Sequence, residues 1–358
     1  MKRRALTGGE RADWLRLSRT RGIGPITFFH LLERYGSASA VLDDLPALAK
    51  KAGTKADVRA PGKDDVEREI VAAEKIGAVL RAAPEPDYSA CLAAIDAPPP
   101  VIWIRGRRDL LARESIAMVG ARDASAAGRR MARDLARDLG AAGYVITSGM
   151  ARGVDGEAHA AAIETGTVAV LAGGIDQVYP PQHAPLYEML CERGCVVTEA
   201  PLGYVAQARD FPKRNRIISG LSLATVVVEA AEKSGSLITA RFALEQGREV
   251  MAVPGSPLDA RCRGANRLIK QGAALIESAD DVLAAMQGIS SPAFDEPGAD
   301  RFDPRDADVP AALLRAVAAP VAALWGFAQH STAQHSAAPA RAVDCRHSRQ
   351  PPARLLLL

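Results

Sequence analysis

The stretch IAMVGARDASAAGRRMARDLARDLGAAGYVITSGMARGVDGEAHAAAIETGTVAVLAGG, residues 116–174, decides the fold. It holds three short apolar runs rich in β-branched residues, at 116–119, 144–147 and 168–171. None alternates apolar with polar, which is how strands covered on both faces read. Between them, residues 129–139 and 156–164 read as helices. Strand and helix in alternation predict a parallel sheet. Outward from this unit, further strands are predicted at 101–104, 195–198, 225–229, 249–253 and 274–276, with helices at 186–192 and 236–245. Residues 89–288 are therefore expected to form a doubly wound, mostly parallel α/β sheet domain. Ligands of such sheets sit beyond the carboxyl ends of the strands, so chemistry is sought in the loops after them.

Before this domain, residues 1–88 read as short helices at 13–19, 25–35, 38–42 and 63–76. Phe28, Leu31, Leu32 and Tyr35 recur at helical spacing. Between the first two helices, Arg21-Gly22-Ile23-Gly24-Pro25 makes a turn whose amides could hold a DNA phosphate; glycine also serves any tight turn. After the sheet, residues 289–310 are rich in Asp, Pro, Gly and Ser and read as a linker. Residues 311–358 are dominated by Ala, Pro, Arg and His and are expected to be mostly disordered.

Length and composition bound the function. The 358 residues suffice for two or three domains, and 48% hydrophobic with 24% charged residues excludes a wholly disordered or collagen-like chain. No apolar run reaches the roughly 18 residues of a membrane span. The opening MKRRALTGGERADW has no apolar stretch behind it, so no secretory signal is expected. Cys91, Cys191, Cys195, Cys262 and Cys345 are scattered and read as reduced thiols, with no metal site expected. A cytoplasmic protein is the resulting expectation. The net charge is +3, but residues 311–358 hold five arginines and one acid, or +4, which leaves about −1 for residues 1–310. Overall charge therefore cannot argue for a nucleic-acid partner, and local clusters must carry any such case.

Five loops carry candidate chemistry. After strand 116–119, Gly120 permits close backbone approach, Arg122 offers a forked donor, and the next helix start presents free amides to an anion. A plain strand-to-helix turn reads equally well there, since no dinucleotide fingerprint is present. After strand 144–147, Ser148 and the Gly149 amide can bind phosphate oxygens. Asp155 and His159 then lie four apart on one helical face. An acid–base pair is one reading; a helix-start Asp with a packed His bonded to it is the preferred one. Gly173-Gly174 allow close approach or simply a turn. The segment 209–219, RDFPKRNRIIS, sets Arg209, Lys213, Arg214 and Arg216 around Phe211 and is read as preceding a helix. Cations can neutralise phosphates there and the aromatic can stack on a base. Finally, Lys233-Ser234-Gly235-Ser236 caps a helix and adds another anion site. So many phosphate-competent loops at one sheet edge suit a chain of phosphates better than one nucleotide.

With these residues assembled, the chain resembles the DNA-processing protein A (DprA/Smf) family across about residues 10–288. The resemblance is densest in VGARDASAAG (119–128), SGMARGVDGEAHAAAIETG (148–166), VLAGGIDQVYPPQH (170–183), FPKRNRIISGLS (211–222) and VVVEAAEKSGSLITARFALEQGREVMAVPG (226–255). It implies an extended Rossmann-like domain preceded by a small SAM-like or helix-hairpin-helix-like domain. It also implies binding of single-stranded DNA, loading of the RecA recombinase during natural transformation, a homodimer, and no enzymatic step, cofactor or metal. By motif match the DNA site falls on Gly120, Arg122, Ser148, Gly149, Phe211, Lys213, Arg214, Asn215, Gly235 and Ser236. Many relatives end in a winged-helix-like domain, and residues 311–358 do not read as one.

For the dimer, the late strand in residues 264–277 is expected near a sheet edge, where Leu268 and Leu275 could meet their own copies across a two-fold axis. Both leucines facing the core is the alternative. A different functional class, a lysine-decarboxylase-like nucleotide phosphoribohydrolase, shares this general sheet. Its P-G-G-x-G-T-x-x-E loop is missing here, where the comparable residues read Glu229-Ala230-Ala231-Glu232-Lys233-Ser234-Gly235-Ser236.

Overall fold

The computed structural model describes residues 3–51 and 59–287. The readings for residues 289–310 and 311–358 lie outside the described residues.

Four helices open the chain: α1 (Gly8–Ser18), α2 (Pro25–Tyr35), α3 (Ala38–Lys51) and α4 (Lys63–Lys75). Thr7 and Glu10 close a capping box on α1, satisfying two amides that the helix start would otherwise leave orphaned. Trp14, Phe28 and Phe29 pack ring against ring, with centroids 5.0–6.2 Å apart. Gly22 takes a φ of +87°, and Pro25 starts α2, where no amide is needed.

The α/β part begins with β1 (Ala78–Ala82), α5 (Ala90–Ala93), β2 (Val101–Gly106), β3 (Ser115–Val119), α6 (Ala126–Ala141), β4 (Val145–Ser148), α7 (Val154–Ala162) and β5 (Thr167–Val170). It continues with α8 (Ala184–Arg193), β6 (Cys195–Thr198), α9 (Asp210–Gly220), β7 (Ala224–Val227), α10 (Ser236–Glu245), β8 (Glu249–Ala252), α11 (Arg263–Lys270), β9 (Ala274–Leu275) and α12 (Ala279–Met286). The strands form one sheet in the order β1-β2-β6-β5-β4-β3-β7-β8-β9. β1 and β2 run antiparallel, as do β2 and β6, and every other neighbouring pair is parallel. The predicted doubly wound, mostly parallel sheet is thus observed. β1 is additional: it pairs Ala78–Ala82 with Val101–Arg105 inside a stretch read as helical.

Strands β3 to β7 are buried along their whole length, because helices cover both faces. Ile116 and Met118 enter one apolar core with Leu135 and Leu139 of α6, while Ala117 and Val119 enter the other with Ile217 and Ile218 of α9. β9 ends the sheet, with Leu275 48% exposed and Leu268 half-buried against the core. Cys91, Cys191, Cys195 and Cys262 are free thiols. Among the described residues, no helix is long and apolar enough to cross a membrane.

Candidate nucleic-acid interface

β4 and β7 flank β3 on opposite sides, so the chain leaves β3 and β7 in diverging directions and opens a crevice at their carboxyl ends. A cleft of about 810 Å³ lies there, lined by residues that include Arg122, Tyr179, Phe211, Lys233, Ser234 and Gly235. A neighbouring pocket of about 280 Å³ runs past Arg152 and Pro181. Loops from β3, β4, β5 and β7, together with α9, are therefore gathered at one edge.

The rim carries the accessible chemistry. Phe211, in the first turn of α9, is half-buried and packs on Tyr179 with ring centroids 5.2 Å apart. Tyr179 itself is 51% exposed. The guanidinium carbon of Arg122 lies 5.4 Å from the Phe211 ring centre, and that of Arg214 lies 5.9 Å from it. Arg122 is exposed and has no carboxylate within ion-pair distance among the described residues. Lys233 is likewise exposed. Lys213 approaches the largely covered Asp210 at 3.8 Å, and Arg152 approaches Asp123 at 3.6 Å; the latter, exposed pair holds its cation weakly. The Gly235 amide makes no hydrogen bond to any described residue.

The floor is internally satisfied, and here several expectations need correction. Ser148 is fully buried and donates to the Met118 carbonyl at 2.6 Å. The Gly149 amide, expected to face phosphate, donates to Asp155 Oδ2 at 3.1 Å, as the Ala151 amide does at 3.2 Å. Gly120 is small because its loop packs on Val154, whose Cγ2 would lie 2.5 Å from any added Cβ. The start of α6 is not free for an anion: the Glu229 carboxylate takes the Ser125 amide at 2.9 Å and its hydroxyl at 2.5 Å. Glu229 is thus an internal cap that the sequence reading missed. Ser236 is buried, with its hydroxyl 2.6 Å from that of Ser234. Gly173-Gly174 let the chain's own loop approach, and the Gly174 amide donates to the Tyr204 carbonyl at 2.8 Å.

Segment 209–219 does not precede a helix but forms most of α9. One face of a helix must turn inward, which buries Arg214 and Asn215. Arg214 donates to the carbonyls of Gly149, at 2.8 Å, and Val170, and to Asn215 Oδ1 at 3.2 Å. Asn215 in turn donates to the Gly235 carbonyl at 3.2 Å. Burial pulls the Arg214 guanidinium down to about 10, an effect opposed by Asp155 and reinforced by Arg122; it remains charged at neutral pH. Burial pushes the Asp155 carboxyl up, against the pull of Arg214 and the two amides.

His159 is buried too, but it is not bonded to Asp155: its Nδ1 lies 2.7 Å from Thr167 Oγ1, and Nε2 has no partner. Burial drives its pKa down to about 3. Nothing in this pair is poised to transfer a proton to a ligand. Of the residues read from the sequence, Arg122, Phe211 and Gly235 line the cleft surface, Lys213 is exposed on α9 outside the lining, and Ser148, Gly149, Arg214, Asn215 and Ser236 build the wall. Tyr179, Arg152 and Lys233 join the surface; an aromatic beside the Gly-Gly loop was the available signal for the first.

Relatives of known kind share this arrangement over most of residues 8–287. The sequence profile of the DNA recombination-mediator protein A family matches residues 80–287. The chain belongs to this family. The profile of the DprA-like N-terminal HHH domain matches residues 8–72, in agreement with the helical start. Protein Smf of Synechocystis is 33% identical over 324 residues, covering 85% of this chain and 79% of the relative. DNA processing protein DprA of Bacillus subtilis is 43% identical over 199 residues, covering 55% of this chain and 67% of its own. Among solved structures, DprA of Streptococcus pneumoniae superposes with a TM-score of 0.64 at 29% identity, over 79% of this chain and 98% of that one. DNA processing protein A of Helicobacter pylori, solved to explain its single-stranded DNA binding mode, gives a TM-score of 0.53 at 25% identity, over 56% and 92%. The expected family and the expected Rossmann-like architecture with a helical N-terminal domain are both established.

Proposed function

We propose that this chain binds single-stranded DNA across the cleft at the β3–β7 crevice, with little sequence preference. The observation that carries the reading is the Tyr179–Phe211 pair beside Arg122, a cation with no carboxylate of its own among the described residues. A strand laid there stacks bases on the aromatic rings and sets phosphates against Arg122, Lys233 and the Gly235 amide. Stacking tolerates any base. The wall residues Ser148, Gly149, Arg214, Asn215 and Ser236 hold the rim in place. No chemical step is assigned, because Glu229, the carboxylate nearest to the hydrolase reading, is spent on capping α6.

Membership of the family implies a step after binding: delivery of the strand to the RecA recombinase during natural transformation. It also implies a homodimer, for which exposed Leu275 on the edge strand β9 is the candidate contact and Leu268 its half-buried neighbour. The test is fluorescence anisotropy with labelled single strands of differing sequence and with duplex, at several salt concentrations. Single strands should bind tighter than duplex, with affinity falling as salt rises. Equal or tighter duplex binding, or affinity independent of salt, would overturn the reading. RecA filament formation on a strand coated with single-strand-binding protein, with and without this chain, tests delivery.

A further inference from the structure

Between β6 and α9 the chain runs from Glu199 to Arg209 without helix or strand. Leu202 packs this strap against the core, and the rest of it is held by bonds, several of which come from the helical N-terminal domain. Glu69 of α4 directs one oxygen, Oε1, at three donors, each 3.2 Å away: Arg19 Nη2 at the end of α1, Trp103 Nε1 of β2, and the Leu202 amide of the strap. Arg19 then uses Nη1 to hold the Glu199 carbonyl at 2.7 Å. The Glu199 carboxylate accepts from Arg216 of α9, whose other nitrogen binds the Ala97 carbonyl at 2.7 Å. Further along, Gly203 donates to Asp176 Oδ1 at 2.8 Å, and Tyr204 donates to Asp210 Oδ2 at 2.7 Å, beside Phe211. Two bonded routes therefore lead from Glu69 to α9, one through the strap and one through Arg19, Glu199 and Arg216.

We infer that Glu69 is a positioning residue for strand binding: from the helical domain it sets the strap and α9, and through them the pose of Phe211. The inference rests on the reading that Phe211 stacks on bases. Three donors converge on one half-buried carboxylate oxygen, and hydrogen bonds to a charged group are the strong ones. Losing the acceptor leaves the Leu202 and Trp103 N–H groups without a partner and lets the strap drift. The cleft cations Arg122 and Lys233 lie outside the strap and α9 and stay in place, so the number of phosphates neutralised should not change.

The test compares Glu69→Ala, Glu69→Gln and Arg11→Ala by single-strand affinity, its salt dependence, melting temperature and Trp103 emission. Arg11 serves as the control because its 2.8 Å bond to Glu85 also ties α1 to the sheet domain but does not reach the strap. Glu69→Ala should weaken binding about five- to tenfold with an unchanged salt slope and shifted Trp103 emission. Glu69→Gln keeps an acceptor oxygen and should restore most of the affinity. Arg11→Ala should lower the melting temperature and leave affinity alone. Wild-type affinity in a folded Glu69→Ala protein overturns the inference, as does an equal loss in Arg11→Ala. Should Glu69→Ala fail to fold, Glu69→Asp, which draws the acceptor back by one methylene, takes its place under the same criteria. If the wild-type chain binds no single strand, the cleft reading fails instead.

Discussion

Two arginines near Phe211 should respond to truncation in opposite ways. Arg214 is 6% exposed and holds the Gly149 and Val170 carbonyls. Arg214→Ala strands both carbonyls in a buried site, at about 1–3 kcal/mol each. It also removes the charge that offsets the burial of Asp155, so the total cost should come to about 3–5 kcal/mol. For a domain of this size the melting temperature should fall by roughly 10 °C. Arg122 is exposed and has no carboxylate to lose, so Arg122→Ala should shift stability by no more than about 0.5 kcal/mol. Its single-strand affinity should nevertheless drop by about 1–3 kcal/mol, the scale of one charge-assisted contact. Thermal melting by circular dichroism and fluorescence anisotropy on the same samples separate the two effects. An Arg214→Ala protein that melts within two or three degrees (roughly the shift expected from 1 kcal/mol) of the wild type would refute the assignment of Arg214 to the wall. An Arg122→Ala protein with intact affinity would remove Arg122 from the rim.

Phe211→Ala should weaken single-strand binding by about 1–3 kcal/mol per stacked base without altering the salt slope, because no phosphate contact is lost; a changed slope argues against stacking. Glu229→Ala should lower stability by about 2 kcal/mol in chemical denaturation, since Ser125 loses its acceptor at the start of α6, and an unchanged midpoint would contradict the capping role. His159 has a folded pKa of about 3 against an ordinary 6.5, so the unfolded chain binds the extra proton between these values. Its contribution is complete above about pH 6.5 and is lost as pH falls, by about 3 kcal/mol at pH 4; His159→Gln should flatten that limb of the stability profile.

The strands were legible because their signal is local: a run such as Ile116–Val119 is apolar on both faces wherever its neighbours lie. β1 was not, since Ala78-Val79-Leu80-Arg81-Ala82 suits a helix as well as a strand, and its pairing with β2 decides the matter. The candidate site divides along the same line. Its loops were found from their glycines, but a missing Cβ records only that something comes close. At Gly149 the close neighbour is Arg214, 65 residues away, and at Gly128 it is Glu229, 101 residues away. Composition cannot distinguish such internal partners from a bound phosphate, because both are oxygen- or nitrogen-bearing groups near free backbone. The internal partners nevertheless serve the reading. A loop whose amides are already satisfied by Asp155 or Glu229 is rigid without a ligand, so little order remains to be imposed when one arrives. The groups left over on such loops, Arg122, Tyr179, Phe211, Lys233 and the Gly235 amide, are those the fold has not already used, and recognition of a strand falls to them.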